Sequence, residues 1–198
     1  MRPWSGLVGA AIILAGCAHT ERFDDGLDYE RRQTELGAIA YWDIRGGIAV
    51  DDGDRSYQAR FTWEQRGEEL ELVVWSRLPG TRRFRIEGTD SNLTVQSGGE
   101  TEILTDPERQ LSEMLGWWLP VTSAEHWLLG RPDPDYSAQS SRGDFDTLQM
   151  LGQRDWQISY DEYQIAEGRL IPRRIKLIHA PLELSLRIIE WQSAAPEP

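Results

Sequence analysis

Residues 56–65 alternate without interruption. Tyr57, Ala59, Phe61 and Trp63 fall on one side, and Gln58, Arg60, Thr62 and Glu64 on the other. A period of two is the pattern of a β-strand with one face buried and one face wet. Similar segments precede and follow it. In 44–50, Ile48 and Val50 share a face, and the turn Asp51-Asp52-Gly53-Asp54 between the two segments predicts a hairpin. In 69–76, Leu70, Leu72 and Val74 oppose Glu71, Val73 and Trp75, so the far end of this strand has apolar residues on both faces. Segments 81–87 and 92–96 continue the meander, with turns at Leu78-Pro79-Gly80 and Gly88-Thr89-Asp90.

The pattern changes after residue 104. Asp106-Pro107-Glu108 opens a helix, with Leu111, Met114 and Leu115 at helical spacing and Gly116 to Pro120 closing it. Thr122-Ser123-Ala124-Glu125 predicts the cap of a second short helix, running through Trp127 to Gly130. The Pro-, Asp- and Ser-rich stretch 131–144 reads as a loop. Alternation then returns at Trp156, Ile158 and Tyr160, at Ile175, Leu177 and His179, and at Leu182, Leu184, Leu186 and Ile188, with Trp191 last. A helical pattern over 28–40 precedes all of this. Residue patterns alone therefore predict about nine strands and few helices, which is the composition of a barrel or an open, strongly curved sheet.

The N-terminus has a different character. Arg2 is followed by a short run of apolar and small residues from Gly6 to Ala15, far shorter than the ~20 apolar residues that span a bilayer. Leu14-Ala15-Gly16-Cys17 resembles the bacterial lipobox, and Cys17 is the single cysteine of the chain. That resemblance implies a signal peptide at 1–16 and acylation of Cys17. Ala18 stands where an Asp would mark inner-membrane retention, which implies the outer membrane. A polar tether at 17–27, one domain at 28–193 and a frayed tail at 194–198 complete the expected organisation.

Composition excludes several functions. The 198-residue chain carries 33 acidic and 21 basic residues, a net charge of −12, which suits neither DNA nor RNA. The lone cysteine allows no intramolecular disulfide and no cysteine metal cluster. His19, His126 and His179 show no metal spacing, and the chain has neither a Gly-x-Ser-x-Gly elbow nor a phosphate loop. No catalytic set, metal site or cofactor is expected. Nine tryptophans point instead to large apolar faces around a core or cavity.

Several segments, in order along nearly the whole chain, resemble the LolB family of outer-membrane lipoprotein receptors. They are the lipobox, Ile44-Arg45-Gly46, Ala59-Arg60-Phe61-Thr62-Trp63 and Leu78-Pro79-Gly80-Thr81. Further pieces are Met114-Leu115-Gly116 with Leu119-Pro120-Val121, Trp127-Leu128-Leu129-Gly130 with Pro132, the segment 156–160, Leu170-Ile171-Pro172 and Trp191. The resemblance implies an unclosed antiparallel β-barrel of about eleven strands, with helices as a lid over an apolar cavity. It further implies a monomer on the periplasmic face of the outer membrane. Such a protein accepts client lipoproteins by their acyl chains from a soluble LolA-like periplasmic carrier and passes them to outer-membrane lipid. Another hydrophobic-ligand transporter of the same architecture, or an anchored hydrolase with a dispersed site, stays open at this point.

The cavity candidates are Phe61, Trp63, Leu72, Val74, Phe84, Ile86, Trp127, Ile158, Leu177, Leu184 and Trp191, each of which serves equally well as plain core. The family carries an exposed apolar residue at a hairpin tip that acts in release into the membrane. That tip usually reads Pro-Leu-Gly. Here it reads Leu78-Pro79-Gly80, so Leu78 either projects as the membrane-insertion residue or folds back onto the sheet. Arg77, Arg82, Arg83 and Arg85 cluster nearby, a match for lipid headgroups, for an acidic carrier or for plain solvent.

Overall fold

The computed structural model describes residues 25–76 and 83–194. Helix α1 (Asp25–Gly37) leads into β1 (Tyr41–Asp51), β2 (Ser56–Arg66), β3 (Glu69–Ser76), β4 (Arg83–Thr89), β5 (Asn92–Ser97) and β6 (Glu100–Leu104). Helices α2 (Pro107–Leu115) and α3 (Val121–Leu128) follow. The chain then forms β7 (Ala138–Arg142), β8 (Leu148–Gln153), β9 (Trp156–Ala166), β10 (Arg169–His179) and β11 (Leu182–Ser193).

All eleven strands form one antiparallel sheet in the order β6-β5-β4-β3-β2-β1-β11-β10-β9-β8-β7. The first and last strands are therefore neighbours at its centre, with Ile44 opposite Trp191 and Val50 opposite Leu184. The outer edges are β6 and β7, which do not pair with each other. The unclosed, mainly β fold implied by the resemblance is the one the chain adopts.

Local chemistry sets the turns. Asp52 Oδ1 accepts from the backbone N–H of Asp54 and Arg55, and Asp51 Oδ1 from that of Gly53, which together fix the β1–β2 turn. Between β1 and β11 the register shifts at Arg45 and Gly46, where β11 carries the extra residue Ile189, a bulge beside Gly46. A Cβ on Gly46 would lie 2.3 Å from the Arg187 carbonyl oxygen and 2.8 Å from Phe61 Cε1, so only glycine fits. Gly116 ends α2 at φ 80°, and its N–H bonds to the Ser112 carbonyl.

Three sequence expectations need correction. The stretch 131–144 is not all loop, because β7 occupies 138–142. Every residue of β7 is exposed, so no alternation of hydrophobicity marks it. The strands β6 and β8 also escaped the pattern. In β6 only Leu104 is buried, and in β8 Met150 is 44% exposed and breaks the apolar series. The second short helix begins at Val121 after Pro120, so Thr122 and Ser123 lie inside it rather than capping it.

The core lies on one face of the curved sheet, beneath α2 and α3. Leu111 and Val121 are fully buried, as are Trp127, Trp156, Ile86 and Leu93. Burying such a side chain contributes ~1.5–3 kcal/mol. Helix α1 caps one end through Tyr29 and Leu36, and Arg32 Nη2 donates to the Leu170 carbonyl oxygen at 2.7 Å.

Candidate functional site

Between the concave face of the sheet and the two lid helices lies a cavity of about 400 Å3. Strands β2, β3 and β4 supply Phe61, Trp63, Leu72, Val74, Phe84 and Ile86, while β10 and β11 supply Leu177 and Leu184. Each shares the parity of the other lining residues on its strand, and all but Val74, which lies between Val73 and Trp75, have a polar or charged residue beside them. The lid supplies Leu115, Trp117, Leu119, Ala124, Trp127 and Leu128. At one end of the strands the lining becomes polar and more exposed, with Asp52, Ser97 and Tyr57, the last 48% exposed.

Nine of the eleven cavity candidates line this space. Ile158 and Trp191 do not. Ile158 is fully buried in the core, in register with Leu151 on β8 and Leu177 on β10. Trp191 is 7% exposed and sits opposite Ile44. Sequence reasoning missed Ile48, Val50, Ala59 and Leu186 as lining residues, although each shares the parity of a candidate on its own strand or hairpin. Leu78 and Cys17 lie outside the described residues, as do Arg77 and Arg82 of the arginine cluster. Arg85 pairs with Glu71 at 2.6 Å and Glu87 at 2.7 Å.

The N–H groups of Trp63 and Trp127 are satisfied by glutamines that do not line the cavity. Trp63 Nε1 donates to Gln65 Oε1 at 2.9 Å, and Gln65 Nε2 donates to the Gly67 carbonyl oxygen. Trp42 stacks on the Trp63 ring, with centroids 6.1 Å apart. Trp127 Nε1 donates to Gln153 Oε1 at 2.8 Å. Gln153 in turn donates to the carbonyls of Asp133 and Tyr136 and accepts from the Asp133 N–H. The cavity therefore meets hydrocarbon faces of tryptophan, with the N–H groups spent elsewhere.

The lid is fastened by a part-buried polar cluster. Arg154 donates from Nη1 to Glu108 Oε1 at 2.8 Å and from Nη2 to Glu108 Oε2 at 2.5 Å. It also donates to Ser123 Oγ, and its guanidinium lies over the rings of Tyr136 and Trp118 at 4.1 and 5.1 Å. Ser123 Oγ donates to Asp133 Oδ2, and Thr122 Oγ1 to Glu108 Oε1. Beside it, burial pushes the Glu125 carboxyl up to about 7, aided by the nearby charges of Asp90 and Asp133. Burial also lowers His126 below its ordinary value. His179 packs between Trp118 and Trp156, at 5.6 and 5.4 Å, as part of an aromatic cluster. The assembly is suited to holding a flexible apolar chain out of water. Among the described residues no group of His, Cys, Asp and Glu has the arrangement of a metal site.

Comparison with known proteins agrees with this geometry. Residues 40–191 match the family described as outer membrane lipoprotein LolB. An outer-membrane lipoprotein LolB of Nitrosococcus oceani is 32% identical over 91% of this chain and 92% of its own length. One from Aeromonas hydrophila is 27% identical over 93% of each. Among solved structures, a LolA superfamily protein from Nitrosomonas europaea superposes with a TM-score of 0.53 over 86% of this chain and 94% of that one, at 12% identity. A DUF1329 family protein from Desulfovibrio piger gives 0.59 over 87% and 94%, at 7% identity. These last two likenesses are of fold alone. With a family match across the whole sheet and the apolar cavity roofed by its two helices, the chain belongs to the LolB family of outer-membrane lipoproteins.

Proposed function

We propose that this protein is the outer-membrane receptor of lipoprotein sorting. It takes a lipoprotein by its acyl chains from a soluble periplasmic carrier of the LolA type and releases it into the outer membrane. The observation that carries this reading is the apolar cavity of about 400 Å3, walled by the sheet, roofed by α2 and α3, with the N–H groups of Trp63 and Trp127 bonded to residues outside its lining.

The physical logic is direct. Each methylene left in water costs ~0.8 kcal/mol, so an acyl chain crossing the periplasm needs an apolar enclosure at every step. No nucleotide site drives the handover, so it runs down a gradient of affinity. Acylation of Cys17 holds the receptor at the final acceptor membrane as a high local concentration. Leu78 serves the release step at the membrane. The work is binding and handover by a monomer, with no bond made or broken.

The test loads the carrier with a labelled lipoprotein, mixes it with the mature chain carrying Cys17→Ser, separates the two proteins and locates the label. Label on this chain is the expected result. Label that stays on a demonstrably loaded carrier, with this chain folded, overturns the reading. Leu78→Glu is expected to accept label normally and to fail in passing it to vesicles.

A further inference from the structure

The outer face of the sheet carries a row of cations set by register alone. Arg174 on β10 lies opposite Arg187 on β11, which lies opposite Gly47 on β1. Gly47 lies opposite Arg60 on β2, and Arg60 opposite Trp75 on β3. Residues directly opposed in antiparallel strands point to the same side. The sequence neighbours of this row, Phe61, Val74, Ile175 and Leu186, line the cavity, so the row itself faces outward.

Two features set the row apart from ordinary surface charge. Arg60 and Arg187 are exposed, and among the described residues neither has an ion-pair partner. Between them, a Cβ on Gly47 would find only the Ala59 carbonyl oxygen, at 3.9 Å, so the space above the glycine is open. At the end of the row Arg174 shares a single carboxylate, Glu162, with Arg173, which leaves a net positive charge there too. Arg66 and Arg85 are by contrast paired with Asp43, Glu64, Glu71 and Glu87. In a chain of net charge −12, two unpaired guanidinium groups thus face outward on either side of an open glycine.

We infer that this half of the convex face lies on a lipid surface and binds headgroup phosphates through Arg60, Arg187 and Arg174. The row crosses five strands, and the unpaired guanidinium groups of Arg60 and Arg187 flank the open space over Gly47, an arrangement that suits headgroup phosphates. Trp75 ends it with a ring of the amphipathic kind that settles at lipid interfaces. The carboxylates of Asp51 and Asp52, on the β1–β2 turn at the rim, repel anionic headgroups. They tilt the molecule onto its face instead of letting it stand on that rim. The inference rests on the membrane anchorage proposed above, and it is independent of what the cavity holds.

The test floats the mature chain carrying Cys17→Ser, free of any acyl anchor, with vesicles of phosphatidylcholine alone or mixed with phosphatidylglycerol. Binding is expected to the mixed vesicles only and to weaken with added salt. Each basic residue at a lipid surface contributes ~1 kcal/mol, so Arg60→Gln is expected to weaken binding about fivefold, and Arg60→Gln with Arg187→Gln about 25-fold. Arg31→Gln with Arg109→Gln removes the same charge from the helices and is expected to leave binding unchanged. Equal losses from both pairs, or no binding to mixed vesicles, overturns the inference. So does a double variant that binds vesicles normally but no longer takes label from the carrier, which would make the row a protein-docking site. Because carrier-to-receptor transfer is read separately, failure here leaves the receptor reading standing.

Discussion

Arg154 in the β8–β9 turn and Glu108 in the first turn of α2 face each other through two parallel hydrogen bonds, of 2.8 and 2.5 Å. Arg154 is 10% exposed and Glu108 21%, so the pair is shielded from water on most sides. The pair ties the start of the lid, which follows edge strand β6, to the β8–β9 turn near the opposite edge of the sheet. Removing one partner strands the other: Arg154→Ala is expected to cost about 3 kcal/mol, and Glu108→Gln less, since the amide keeps one acceptor. Urea unfolding measures the loss. Hydrogen exchange is expected to quicken first in α2 and α3 and to stay slow in β1 and β11; uniform quickening would mean that the pair supports the whole sheet.

Ala124 on α3 faces the cavity, where a larger side chain would occupy ligand space. Ala124→Trp is expected to weaken binding of a fluorescent fatty acid by at least tenfold without lowering the unfolding midpoint. Unchanged affinity would place the acyl site elsewhere.

Glu125 is held at about 7 in the folded chain, against an ordinary carboxyl value near 4.5. Its protonated form is the one the fold favours. The stability it contributes is complete below the unfolded value and is lost as pH rises through about 7. The loss is on the order of 2 kcal/mol after allowance for partial exposure. His126 acts in the opposite sense, because burial lowers its value and its contribution is lost as pH falls below the ordinary histidine range. Comparing urea midpoints of the wild type and Glu125→Gln at pH 5 and pH 8 isolates the carboxyl. The variant is expected to be the more stable only at pH 8.

Gly46 meets a carbonyl and a phenyl ring within 3 Å of where a Cβ would sit. Gly46→Ala is expected to lower stability by about 3 kcal/mol, because backbone at the β1–β11 bulge must move to make room. A thermal midpoint within a degree of wild type would show that the bulge slides freely.

Much of this architecture was legible in the residues, and what was not had a physical cause. Phe61 and Trp63 announce β2 because one face of that strand is dry and the other wet. The polar strand β7, with the run Ala138-Gln139-Ser140-Ser141-Arg142, is an edge with both faces in water, so no hydrophobic period was there to read. Eight lining residues were found from alternation and Trp127 from the second short helix, but Ile158 was named with them because parity names a face and cannot say where along it the void begins. The lid fastening was invisible. Gln153 and Arg154 meet partners 17 to 46 residues distant, and nothing local marks a glutamine that will satisfy Trp127.

The pairing of β1 with β11 at the centre of the sheet also governs how the protein comes into being. Trp42 finds its partner in Ser193, so the strand that completes the middle is the last to be synthesised. Contacts of such long range are slow to form and cannot begin before β11 is free. Until then the chain has two half-sheets with raw edges where the seam belongs and no finished cavity. A sheet built this way stays open at its centre until β11 docks on β1.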